Sequence, residues 1–157
     1  MANLDLLVKA LDTAHWEMSE AFKGLPDADV WRRAHPRLLS VGELAAHIAY
    51  WEAQSFLGEG GAESPLFMPA ARYYTANADD PFSLNLGAEA VLAEVQRIHA
   101  LCKAAFAADP KDSEQPNPNR NDWTWGWTLE YQAFHVAHHT GQMYSVRHLL
   151  GHETVDN

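Results

Sequence analysis

The chain holds one cysteine, Cys102, in 157 residues, which excludes an internal disulfide and every zinc fold built on several thiolates. Any metal it binds must be held by histidine and oxygen. Basic residues are scarce, with 11 Lys and Arg against 21 Asp and Glu and a formal net charge of −10. That balance opposes contact with phosphate backbones or anionic lipid surfaces, so neither nucleic acid nor a membrane is an expected partner. No apolar run approaches the roughly 20 residues of a bilayer span, and the start, MANLDLLVKALD, has neither a basic region nor a small-residue cleavage site. A cytoplasmic location is the resulting expectation. No stretch alternates with the two-residue period of a half-buried strand. Two metal motifs are absent as well: the Glu-x-x-His of di-iron bundles and the His-Glu-x-x-His of zinc proteases.

What is present is helical periodicity. Hydrophobic residues make up 47% of the chain and charged residues 20%, the mix of a folding chain, and the length suits one domain spanning residues 1–157. Leu4, Leu7, Val8, Leu11, His15, Met18 and Phe22 recur at spacings of three and four, one stripe of a helix that Gly24 and Pro26 end. Ser40 with Glu43 forms a capping-box signature ahead of a second stripe, Leu44, His47, Ile48, Trp51 and Ser55. After GEGGAESP a long irregular stretch runs through Pro65, Pro69 and Pro81 to a third periodic segment that begins near Asn85 and carries Val91, Val95, Ile98 and Cys102. A fourth helix is expected from about Thr128 to Leu150, where Gly151 supplies a stop. Four stripes in a chain of this size point to an all-α four-helix bundle, and the long second connection allows a crossover.

Nine histidines are unevenly spread. His135 and His139 stand four apart, so both rings can address one ion from one helix face. His47 lies on the apolar stripe of the second helix, where an unpaired imidazole is costly to bury. Together the three supply neutral nitrogen ligands from two facing helices, a catalytic-type metal site with positions left open for water or substrate. The ion would be divalent, one of Zn, Ni, Fe or Mn, with zinc or nickel favoured. His138 is assigned to a neighbouring face or a supporting contact, and His15 to packing. Surface or capping roles suffice for His99, His35, His148 and His152. His15 and Glu52, on or near inward stripes of adjacent helices, are candidates for a general base near the open position. Gln142 can hydrogen-bond a ligand, and Gly141 would let a neighbouring helix approach closely. Trp123, Trp125 and Trp127, placed ahead of the fourth helix, either line an apolar pocket with Tyr73 and Tyr74 or close the core.

The run HVAHHTGQMYSVRHLLG, with its His-x-x-His-His-x-Gly-Gln pattern, the segment LLSVGELAAHIAYWE and the linker GLPDADVW resemble the DinB/YfiT-like superfamily over nearly the whole chain. The resemblance implies a four-helix bundle with a crossover, usually a homodimer, with His47, His135 and His139 at the three metal-ligand positions. It also implies a small-molecule substrate and, by analogy with thiol-dependent S-transferases and isomerases of that superfamily, a low-molecular-weight thiol as co-substrate. Thr140 stands where a basic residue often precedes the Gly-Gln, a departure that bears on any anionic thiol. Two further readings stay open: a non-catalytic, stress-related ligand-binding bundle with a structural metal, and a bundle with no metal in which the inward histidines hydrogen-bond to one another or to serine and glutamine.

Overall fold

The computed structural model describes residues 4–67, 83–109 and 111–154. Among them are four α-helices, α1 (Leu4–Phe22), α2 (Val41–Phe56), α3 (Ala88–Ala107) and α4 (Trp125–Leu149), with a 3-10 turn at Asp27–Asp29. No strand occurs among the described residues, and the all-α expectation holds. Pro69, Tyr73, Tyr74 and Pro81 lie outside the described residues. Among the described residues no helix is long and apolar enough to cross a membrane.

The stripes read from the sequence are the buried ones. Leu11, Met18 and Phe22 of α1, Leu44 and Ile48 of α2, Val91, Val95, Ile98 and Cys102 of α3, and Leu129, Val136 and Met143 of α4 close on one core. α1, α3 and α4 each bury one face, whereas α2 is buried nearly all round and forms the centre on which the others pack.

Side-chain contacts fix the order of the helices around the core. α1 packs chiefly on α4, and α2 on α3 and α4. Tyr144 reaches Glu17 and Arg147 donates to the Ala21 carbonyl, so α1 and α4 run parallel. Ser55 meets Gln132 while His47 meets His139, so α2 and α4 run antiparallel. Glu52 meets His99 and Phe56 meets Phe106, which makes α2 and α3 parallel neighbours. The end of α2 and the start of α3 therefore lie at opposite ends of the bundle, about 24 Å apart for a helix of 16 residues. That is the crossover the long loop allowed.

Local chemistry explains the helix ends. The capping box is complete: Glu43 N donates to Ser40 Oγ at 3.2 Å and Ser40 N to the Glu43 carboxylate at 2.7 Å. Arg33 holds the same carboxylate, tying the linker to α2. The first turn of α3 is capped from afar, with Ala88 N donating to Asp27 Oδ1 at 2.8 Å. The fourth helix starts earlier than the sequence suggests, at Trp125 rather than Thr128, because the Thr124 hydroxyl accepts from Trp127 N at 3.2 Å. Trp125 N and Gly126 N donate to the carbonyls of Gln115 and Ser113, so the preceding loop lies close across the helix end. Gly126 permits that approach, since a Cβ there would stand 2.9 Å from the Ser113 carbonyl oxygen. At the other end Gly151, with φ of 88°, supplies the left-handed residue that stops α4.

Candidate metal centre

His47 comes from α2, and His135 and His139 from successive turns of the antiparallel α4. Their ring centroids lie 4.5–5.1 Å apart. One ligand nitrogen from each falls within 4.8 Å of the others, and all three side chains are buried. The structure thus brings together the three histidines singled out in the sequence, in a group that could hold a metal ion.

The electrostatics suit that role. Burial pushes the His135 pKa down to about 3, with His139, His47 and His138 adding to the repulsion against a proton. Burial also dominates at His139, where the Gln142 contact works upward but the value still falls to about 4. At neutral pH both rings are uncharged and keep a lone pair, the form in which imidazole binds a metal. Gln142 Oε1 lies 2.6 Å from His139 Nδ1. An amide oxygen only accepts, so Nδ1 carries the proton and Nε2 offers its lone pair. His135 Nδ1 is buried with no hydrogen-bonding partner. A histidine held in a purely polar network would have one, so this orphaned nitrogen and the neutral three-imidazole donor set fit a divalent ion.

His138 is exposed, stacks on Phe134 at 5.7 Å and stands 5.0 Å from His139, on the neighbouring face expected for it. Gly141 does not serve a close helix approach: its position is exposed and a Cβ there would meet nothing within 4 Å. The three tryptophans divide between the two roles open to them. Trp125 is buried against Phe56 and Phe106 and closes the core. Trp123 contacts Tyr131 at 4.9 Å, and Tyr131 in turn stacks on His135. Trp127 is half exposed.

A second cluster was not legible in the sequence. Glu52 is fully buried, with His15 Nε2 at 2.7 Å on one oxygen and His99 Nδ1 at 2.6 Å on the other. His99 Nε2 meets Asp12 at 3.0 Å, and Lys103 holds Asp12 at 2.7 Å. The two rings stack at 3.7 Å. His99 therefore has no surface or capping role, and His15 is a hydrogen-bond partner of Glu52 as well as a packed ring. Carboxylate oxygens only accept, so His99, flanked by one on each nitrogen, is an imidazolium. Burial opposes its charge, but the bonds and charges of Glu52 and Asp12 prevail and raise its pKa. For Glu52 burial acts upward, yet the charges and hydrogen bonds of His15 and His99 hold it at about 2. The contacts of this cluster are hydrogen-bond lengths, and they engage both general-base candidates with each other.

Cys102 lies beside Glu52. Burial and that negative charge push its thiol well above the ordinary range, so it is no nucleophile. A cavity of about 470 Å³ opens over Glu52 between α1 and α3, lined by Val8, Asp12, Phe56 and Phe106. Nearer the histidines, Leu39, Leu44, Gln142 and Val146 border a recess of about 400 Å³.

The sequence model of the DinB superfamily matches residues 10–143, a span that contains α2, α3 and all three histidines. No curated protein matches the chain, and no solved structure matches it. The chain belongs to the DinB superfamily.

Proposed function

We propose that this DinB superfamily protein is a divalent-metal-dependent enzyme acting on a small molecule, with His47, His135 and His139 as the metal ligands. The observation that carries the reading is the convergence of three buried imidazoles, two of them held neutral, with one nitrogen on His135 left without a partner. A divalent ion at this position would act as a Lewis acid and acidify a water or thiol.

The protein's own contribution is preorganisation. α2 and α4 hold the ligand rings from opposite directions, Gln142 sets the tautomer of His139, and the surrounding core keeps the rings dry. Three protein ligands leave at least one position for an exogenous group, which distinguishes a catalytic site from a closed structural one. Since Cys102 is buried and its thiol strongly protonated, any thiol taking part in the reaction is a free, low-molecular-weight one. Thiol transfer and hydrolysis are the two reactions this arrangement supports.

Cobalt substitution tests the reading. Tag-free protein loaded with Co²⁺ should change its visible spectrum when 2-mercaptoethanol is added, and His139→Ala should lose both the metal and the change. A cobalt spectrum indifferent to thiol and to other exogenous ligands would indicate a saturated, structural site.

A further inference from the structure

Arg120 sits in the loop ahead of α4, and its guanidinium carbon lies 4.1 Å from the ring centre of Trp123 and 5.1 Å from that of Trp51. Trp51 is one turn along α2 from His47, with ring centroids 6.4 Å apart. Trp123 leads by Tyr131, at 4.9 Å, to His135, at 5.8 Å. Two aromatic paths thus run from one guanidinium to two of the three histidines, each step a direct ring contact.

The cation is unusual for what it lacks. Among the described residues the Arg120 side chain meets no carboxylate and no hydrogen-bond acceptor, and Asp122, two residues on, forms no ion pair with it. This is so in a chain with 21 acidic residues. The side chain is half-buried, and burial lowers its pKa. A guanidinium that gives up hydration usually receives a carboxylate or phosphate in exchange, because its planar fork of donors matches an oxyanion. Here indole faces hold it, in a recess that it lines with Asn117, Asp122 and Trp123, and no carboxylate among the described residues, Asp122 included, takes its donors.

We propose that Arg120 is the anion-recognition residue of the three-histidine centre, and that the molecule taken there carries a carboxylate or similar oxyanion on an apolar, ring-sized body. The inference rests on the metal-site reading above. The oxyanion docks on Arg120, the body lies along Trp51 and Tyr131, and the other end reaches the histidines. Thr140 then needs no basic replacement, because the positive charge comes from the loop.

The test uses two isosteric probes, 4-mercaptobenzoate and the neutral 4-mercaptobenzamide, titrated into cobalt-loaded wild type, Arg120→Met and Arg120→Lys. Binding is read from the thiolate-to-cobalt absorption and metal content by elemental analysis. Wild type should prefer the acid by about tenfold or more, as a charge-assisted pair allows. Arg120→Met should bind both probes alike with metal content unchanged, and Arg120→Lys should keep part of the preference. Equal affinities in wild type, or a preference that survives in Arg120→Met, would overturn the assignment. If no cobalt is retained, the metal reading fails by itself. Quenching of tryptophan fluorescence in the metal-free protein then reads the same preference, with the same outcomes deciding for or against Arg120.

Discussion

Replacing Glu52 by glutamine should destabilise the protein more than most single changes that keep side-chain volume. Glu52 is wholly buried and its two oxygens accept from His15 and His99 at 2.7 and 2.6 Å. Its pKa falls from 4.5 to about 2, which converts to about 3 kcal/mol in favour of the charged folded form. Breaking a buried ion pair from one side costs about 3–5 kcal/mol, because the partner charge remains. Both routes give a similar figure, and for a chain of this size it lowers Tm by about 6–12 °C. Urea unfolding of metal-free protein at neutral pH measures it. The double variant Glu52→Gln, His99→Gln should recover part of the loss, since it removes the charge that the first change strands. A loss in Glu52→Gln of less than about 1 kcal/mol would refute the claim that this carboxylate anchors the histidine pair.

Other perturbations probe separate parts of the account. Ser40→Ala removes one half of the α2 capping box and should cost about 1 kcal/mol in chemical denaturation, with metal content unchanged. Gln142→Leu frees His139 Nδ1 and should weaken metal binding about 10–100-fold in competition with a chelator while the helix content by circular dichroism stays the same. Pairing raises the His99 pKa above its usual 6.5 in the fold, so its contribution is complete below that value and fades as pH rises through the higher folded one. The stability gap between wild type and His99→Gln should therefore narrow as pH rises above about 6.5, and a constant gap would contradict the imidazolium assignment.

The bundle and the His135 and His139 pair were legible because both depend on local spacing, and His47 because it interrupts an apolar stripe. Leu11, Met18, Leu44 and Ile98 mark their helices by period alone, and Ser40 and Glu43 announce a helix start within four residues. His135 and His139 share a face for the same reason. The Glu52 cluster was hidden because its members come from three helices: His15 is 37 residues from Glu52, His99 is 47 away, and Asp12 is 87 from His99. Only packing brings them together. α4 starts at Trp125, ahead of the expected Thr128, because Thr124 caps the helix and two loop carbonyls accept from its first donors. Arg120 gave no signal at all, since its meaning lies in two indole faces from different segments.

The central claim is that His47, His135 and His139 hold one divalent ion. Elemental analysis of protein purified without a histidine tag or added metal, beside the His47→Ala, His139→Ala double variant, tests it most directly. The account predicts near-stoichiometric divalent metal in the wild type and its loss in the variant. A metal-free wild type that takes up none of Zn²⁺, Ni²⁺, Mn²⁺ or Fe²⁺ would contradict it.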